Sequence, residues 1–288
     1  MNDRKSGTIF VVAAASLWST AGLFMALLAS VNVWTILFWR SLFGATLVFI
    51  VATLLWRALA KPLLLDRAGM IATLFSALGM IAFVPALQLT SVANVAMIHA
   101  SLPLVAAIAS NLILRERPAR TTLISSGFTL FGALLIFAGT GRSAVGQLGN
   151  LLALLMTLSM AAMTISLRAS RTDNILWIVG ASNTVAAMAA AWFTPAIGVS
   201  FTEIVTLLCF ATFQMAGGLV LYGKGARLLP SSEAALLSLV ETPLSPLWVW
   251  LFFDQRPSTP SMLGGAFIVA AIVTHLLQKR TRQGQEKP

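Results

Sequence analysis

The stretch 86–118, ALQLTSVANVAMIHASLPLVAAIASNLILRERP, is echoed by the stretch 226–257, ARLLPSSEAALLSLVETPLSPLWVWLFFDQRP. When the two stretches are aligned with a shift of 140 residues, several positions hold identical residues. A one-residue gap then aligns the Arg-Pro pairs that end the two stretches. Each copy holds a long apolar segment with a proline near its middle. Such a proline removes a backbone donor and kinks a helix. In a membrane a kink is tolerated where it faces protein or water. We therefore interpret the two apolar segments as walls of a pathway.

The composition indicates a polytopic membrane protein. Hydrophobic residues make up 58% of the 288, charged residues only 10%, and the mean hydropathy is +0.89. A soluble domain is about a quarter charged. The net charge of +10 lies in short connections, so we expect no nucleic-acid partner. The single cysteine, Cys209, lies in an apolar stretch, which leaves no disulfide or zinc site. We expect no cofactor and no metal.

Ten stretches are apolar enough to span a bilayer, which takes about 20 residues each. The first is too long for the core of a signal peptide and lacks a clear cleavage site, so we interpret it as a membrane helix. The predicted segments are 8–29, 33–56, 68–88, 91–113, 121–138, 148–167, 175–194, 203–223, 231–253 and 259–277.

Basic residues in the connections predict the orientation, because cytoplasmic loops carry an excess of Lys and Arg. With the N-terminus inside, sixteen of the nineteen basic residues lie on the inner side. Only Arg142 and Arg256 lie outside, and Arg40 lies within a segment. We therefore expect both termini in the cytoplasm.

The segment count also predicts symmetry. Residues 1–140 hold five segments and residues 147–288 hold the other five. An odd number per half inverts the second half, so the fold class is an all-α membrane protein with ten transmembrane helices in two inverted five-helix repeats. We expect them to form one transport domain. Inverted repeats place a substrate site near the midplane and work by alternating access.

The chain resembles the ten-helix EamA-type members of the drug/metabolite transporter superfamily. The resemblance implies a secondary exporter of small metabolites in the bacterial inner membrane, nearest to the YddG-type group, which exports aromatic and other amino acids. The family's acid at the end of the fourth helix is matched by Glu116, whereas the ninth helix ends in Asp254 and Gln255. The residues that carry the resemblance, besides the duplicated stretch, are Leu17-Trp18, Arg40 in FWRSLFGA, Gly127 with Gly132, and Gly265 with Ala270.

Glu241 is the only one of nine acidic residues that lies deep within a segment, and such residues are functional candidates by default. Helical spacing predicts that it shares a stripe with Ala234, Ser238, Ser245 and Trp248. We interpret this stripe as facing the cavity. The alternative is a protonated glutamic acid bonded to a neighbouring helix.

The counterpart stripe in the fourth segment contains Asn94 and Ser101, with Met97 beside them as an adaptable apolar contact. Polar residues between membrane helices also serve simply to hold the helices together. His99 lies about 200° around an ideal helix from Ser101, so it does not share the stripe. Substrate contact, a proton relay and packing against the third segment are its three open roles.

Two further segments supply candidates. Trp18 lies mid-segment and either stacks on substrate or fills the core. Gln214, Gly217, Gly218 and Tyr222 form a small and polar face that lines the cavity or permits close packing. Arg40 lies near a segment end, so we expect it to extend toward the interface in a structural role. The predicted substrate-binding residues are Trp18, Asn94, Met97, His99, Ser101, Gln214, Tyr222, Ser238, Glu241 and Ser245.

Other functions fit less well. The chain has no phosphate-binding Gly-rich loop, which argues against an ATP-driven pump. A nucleotide-sugar or sugar-phosphate exchanger needs deep cations, so an uncharged or zwitterionic substrate fits better. An intramembrane protease built on Ser182 and His275 is a remote alternative, and we expect no catalytic residues.

Proton coupling would use Glu241 or His99; otherwise transport is facilitated diffusion. We expect a monomer whose partners are a small-molecule substrate and the lipid bilayer.

Overall fold

The computed structural model describes residues 3–59, 65–90, 92–138, 146–170, 175–195, 197–254 and 259–285. Within these ranges every regular element is helical, which confirms the all-α class. Residues 139–145, where the sequence predicts the junction between the halves, lie outside the described residues.

The helices follow the predicted segments closely, and we number them α1 to α10 with a and b for the two parts of a broken helix. Most bounds agree within three residues because long apolar runs in lipid must satisfy their backbone groups internally. The bounds are α1a Asp3–Trp18, α1b Ala21–Leu27, α2 Val33–Leu59, α3 Arg67–Leu89, α4a Val92–His99, α4b Leu102–Ile113, α5 Arg120–Ala138, α6 Gln147–Ala169, α7 Ile175–Phe193, α8 Phe201–Leu228, α9a Ser231–Ser238, α9b Glu241–Phe253 and α10 Thr259–Gln285.

The surface and the helix lengths are those of a multi-pass membrane protein. Among the described residues, eight helical segments have the length and composition of a membrane span, and α10 contains a shorter apolar stretch. Large apolar side chains point outward, with Trp192 86% and Leu112 75% exposed. A soluble protein rarely leaves so much apolar surface in water. The count of ten spans remains a prediction.

Helix packing in the first half is repeated in the second. α3 packs on α6 as α8 packs on α1, and α4 packs on α6 as α9 packs on α1. α2 packs on α7, and α5 packs on α10. These are the pairs expected if an approximate two-fold axis exchanges the halves. The C-terminal part α4b packs on the N-terminal part α9a, so the two copies of the duplicated stretch pass each other in opposite directions.

The duplicated helices break near their middles, as the prolines predict. The break at 100–101 lies just before Pro103, and the break at 239–240 lies just before Pro243. Each proline falls in the first turn of the second part, where its missing N–H removes no helical hydrogen bond. The proline thus starts a new helix rather than bending a continuous one.

Two irregularities were not predicted from the sequence. α1 breaks at Ser19 and Thr20, whose hydroxyls donate to carbonyls three residues back. Hydroxyl groups that bond locally to the backbone compete with helical hydrogen bonds. α8 is π-helical over Phe210–Gly217, and such wide turns often occur at functional sites. Four helices, namely α1, α4, α8 and α9, are therefore irregular near their middles.

Candidate functional site

The breaks in α4 and α9 bring His99 beside Glu241. His99 ends α4a, Glu241 begins α9b, and His99 Nε2 lies 3.3 Å from Glu241 Oε1. Ideal helical spacing put His99 off the polar stripe, but the turn at 100–101 separates the two halves of α4, so ideal helical angles do not carry across it. The contact joins the two halves of the molecule at counterpart helices.

The His99–Glu241 pair is held in a largely enclosed position. The side chains are 7% and 22% exposed, respectively. Neither ring nitrogen of His99 makes an aligned hydrogen bond to a described residue, so the contact is a close approach of two titratable groups. Glu241 also occupies the first turn of α9b, where free N–H groups favour a negative charge.

Trp18 and Tyr222 form an aromatic pair with ring centroids 4.9 Å apart. Tyr222 is buried, and its hydroxyl lies 2.6 Å from Thr164 Oγ1. Because Thr164 donates its own proton to the Met160 carbonyl, Tyr222 is the donor to Thr164. Trp18 packs so closely on Gly218 that a methyl group there would overlap the indole. The sequence predicted Trp18 and Tyr222, and gave no signal for Thr164.

The aromatic pair and the break that precedes Glu241 share one apolar cluster. The pair belongs to this cluster together with Leu239 and Val240, the two residues of that break. On the other side of the break, Trp248 Nε1 donates to Ser19 Oγ at 2.8 Å. The breaks of α1 and α9 are therefore tied directly to each other. The sequence had placed Trp248 on the stripe of Glu241 without indicating this partner.

Gln214 lies on the π-helical turns of α8 and is buried. Its Oε1 has no hydrogen-bond partner among the described residues. A buried polar atom left without a partner is uncommon in a native protein. Gln214 thus presents an acceptor that a ligand donor can use.

The three predicted serines bond locally. Ser101 donates to the Ile98 carbonyl, Ser238 to that of Ala235, and Ser245 to that of Glu241. Ser238 is fully buried, whereas Glu241 and Ser245 are partly exposed. Met97 is half-buried, and the side chain of Asn94 lies outside the described residues. The substrate-binding role of these residues remains a prediction.

Charged groups join four segments at the end of the bundle that carries the N-terminus. Glu116, which follows α4b, accepts hydrogen bonds from Arg168 Nε at 3.0 Å and from the Ser231 amide at 3.4 Å. Arg168 also donates to the Arg227 carbonyl. These bonds connect α4, α6, α8 and α9. The predicted family acid, Glu116, is therefore the centre of a network that links these segments. A cavity of about 350 Å³ lies beside it, lined by Phe10, Arg168, Ser170, Lys224, Arg227 and Leu228.

A second ion pair strengthens the same end. Arg4 on α1a lies 3.1 Å from Glu233 on α9a.

At the opposite end a groove of about 500 Å³ runs along α9b and past Trp248, the partner of Ser19. Its lining residues are Leu244, Leu247, Trp248, Trp250, Leu251 and Asp254.

The residues of the protease alternative are not joined. Ser182 is buried in α7 and donates to the Val179 carbonyl. Within the part of the chain that the structure describes, it makes no hydrogen bond to His275. A serine nucleophile needs a base in hydrogen-bond reach. The arrangement therefore gives no support to proteolysis.

The comparisons with known proteins agree with this architecture. A model of the EamA-like transporter family matches residues 5–138 and 147–277. A solved structure described as "Crystal structure of protein" superposes with a TM-score of 0.78 over 96% of this chain and 99% of its own length, at 21% sequence identity. That identity supports a shared fold alone. No curated protein sequence matches the chain significantly.

Proposed function

Because this chain belongs to the EamA-like transporter family, we propose that it is a secondary exporter of small metabolites, with aromatic and other amino acids as its substrates. The observation that carries the proposal is the His99–Glu241 contact, which joins the breaks of two counterpart helices. Carriers built of inverted repeats place their sites where discontinuous helices meet near the midplane.

The two ends of the bundle support alternating access. The network around Glu116 links four segments at the end that carries the N-terminus, while a groove runs along α9b at the other end. The excess of basic residues supports a cytoplasmic location for the linked end, and the family resemblance supports a bacterial inner membrane. In this proposal the described state faces outward, and breaking the network opens the pathway inward by rocking of the two inverted halves.

The side chains of the site favour a zwitterionic substrate, as in the YddG-type group. Trp18 and Tyr222 offer aromatic surface to an apolar side chain. Glu241 offers a carboxylate to an ammonium group. Among the described residues, Arg40 is the one Lys or Arg that is fully buried. A phosphate dianion calls for more than one deep cation, so a sugar-phosphate substrate fits less well.

Counterflow in liposomes tests this function. Liposomes that contain the purified protein and unlabelled L-phenylalanine should accumulate external radiolabelled L-phenylalanine, and protein-free liposomes should not. Trp18→Ala should lower the initial rate by about tenfold, since stacking on an aromatic side chain contributes about 1 kcal/mol or more. Trp192→Ala is the matched control, because Trp192 faces outward and should leave the rate unchanged.

The alternatives give different results in the same assay. Uptake of none of a panel of amino acids would sink the proposal. Exchange of a nucleotide sugar or a sugar phosphate in place of amino acids would favour the other branch of the superfamily. Equal effects of Trp18→Ala and Trp192→Ala would remove the aromatic pair from the substrate site.

A further inference from the structure

Arg40 is buried in the protein rather than extended toward the interface. Only 2% of the residue is exposed, although it lies two turns into α2 and the sequence analysis expected it to reach outward. The structure corrects that expectation because α1b and the π-helical turns of α8 pack around this part of α2. A guanidinium in an enclosed, apolar setting loses its hydration and needs an opposite charge or hydrogen-bond acceptors in exchange.

No described residue supplies an opposite charge to Arg40. Its Nε has no hydrogen-bond partner among the described residues, and the guanidinium instead lies 5.0 Å from the ring centre of Phe210. A single cation–π contact offsets only part of the lost hydration. The described ion pairs join other residues, namely Arg4 with Glu233, His99 with Glu241, and Arg168 with Glu116.

The helices α7 and α8, which pack on α2, carry further unused polar atoms. Phe210 starts the π-helical turns, and Gln214 lies one turn further along with a free Oε1. Gly44 lies one turn beyond Arg40, and the free Oδ1 of Asn183 is packed against it. Phe210 also stacks on α1b just after the break in α1. A buried cation and two free amide oxygens thus lie around the junction of α1b, α2, α7 and α8.

This chemistry matches a carboxylate-bearing ligand. A carboxylate accepts two parallel hydrogen bonds from the fork of a guanidinium. One cation balances one monoanion, and free amide oxygens accept from the donor groups that such a ligand carries. We propose that Arg40 binds the carboxylate of an organic acid ligand. The identification of this ligand as the transported amino acid rests on the proposed function. The binding of a carboxylate by Arg40 does not rest on it.

Ligand-induced thermal stabilisation of the full-length protein in detergent tests Arg40 directly. The probes are phenylacetate against phenylacetamide and L-phenylalanine against L-phenylalaninamide, with sodium chloride at equal ionic strength. At least one acid should raise the midpoint of unfolding, and its amide and chloride should not. Arg40→Gln should abolish the preference for the acid. Arg40→Lys, which keeps the charge and loses the fork, should weaken the apparent affinity by about tenfold.

Lys224→Gln is the matched control. It removes the same charge from an exposed position on α8 and should leave the preference for the acid intact. Equal stabilisation by acid and amide in the wild-type protein would overturn the proposal, and this comparison holds even if Arg40→Gln does not fold. An equal rise in the midpoint of unfolding with sodium chloride would also overturn the proposal. So would a preference for the acid over its amide that persists in the Arg40→Gln variant.

Thermal stabilisation and counterflow together distinguish the proposal about Arg40 from the proposed transport function. Stabilisation by phenylacetate that depends on Arg40, together with absent amino-acid counterflow, supports the carboxylate site and rejects the amino-acid exporter. Counterflow of L-phenylalanine that is unchanged in Arg40→Gln supports the exporter and rejects the role of Arg40.

Discussion

Glu241 gains its chemical interest from the residue that the fold puts beside it. Alone, a carboxylate at the start of α9b would be stabilised by the free N–H groups of the first turn. Beside His99, it belongs to a pair of ionisable groups whose combined charge depends on how many protons the two hold. A change in that charge alters the cost of holding two counterpart helices together in the middle of a membrane. We therefore propose that the pair links proton binding to the relative position of the two halves.

Replacing Glu241 with Gln tests this link. In proteoliposomes, a pH gradient should accelerate wild-type flux, and Glu241→Gln should reduce the acceleration by about tenfold because the amide cannot take up a proton. Asp3→Asn, a change of the same type at the exposed N-terminus, should leave the acceleration by the pH gradient intact. If gradient-driven flux survives Glu241→Gln unchanged, Glu241 is not the coupling site. Wild-type flux that ignores the gradient would identify facilitated diffusion instead.

At the scale of helices, α5 and α10 pack against each other through Gly132. A methyl group built there would lie 2.6 Å from the Gly264 carbonyl oxygen and close to Ile268. Gly127, five residues earlier on the same helix, has nothing within 4 Å of such a methyl group. The glycine pattern of α5 therefore serves a close contact within one chain at one of its two positions.

The two glycines make a matched pair for mutation. Gly132→Ala should lower stability by about 1–3 kcal/mol, because the backbone of α10 must move away. Gly127→Ala should leave stability unchanged or raise it slightly, since alanine favours the helix and meets no neighbour. Thermal unfolding of the purified protein in detergent measures both. Equal stability of the two variants would contradict the close approach of α5 and α10 at Gly132.

For the whole molecule, we propose that the contrast between its two ends sets its conformational state. The hydrogen bonds of Glu116 reach α6 and α9, and Arg168 extends the network to α8. An ion pair that is partly exposed contributes little by itself. Two bonds to the Glu116 carboxylate and a third from Arg168 to the Arg227 carbonyl link four segments only while that end stays closed. Removing the carboxylate should therefore shift the population toward the inward-open state.

A cysteine reporter measures that shift. In a Cys209→Ser background, Ser238→Cys places a thiol at a fully buried position of α9a. Adding Glu116→Gln should raise its labelling by an impermeant maleimide, applied from the cytoplasmic side, by about fivefold. Asp254→Asn, at the opposite end of α9, is the control and should not change the rate. Equal labelling with and without Glu116→Gln would refute the network as a gate.

The sequence by itself determined the helical segments, the breaks before Pro103 and Pro243, and the candidate acid Glu241. These features follow from local chemistry, because apolar runs in lipid must form helices and a proline cannot sit in a helix interior without cost. The hydroxyls of Ser19 and Thr20 are also local, yet they sit mid-helix in many proteins without a break. For that reason the break in α1 could not be predicted from them.

Only the tertiary structure decided which side chains meet. The partnership of His99 with Glu241, the hydrogen bond from Tyr222 to Thr164, and the burial of Arg40 each depend on the rotation and approach of separate helices. Helical periodicity describes one helix at a time and fails across a break, so it could not bring His99 to Glu241. The duplicated stretch marked the two helices that form the centre, and their packing determined which of their residues touch.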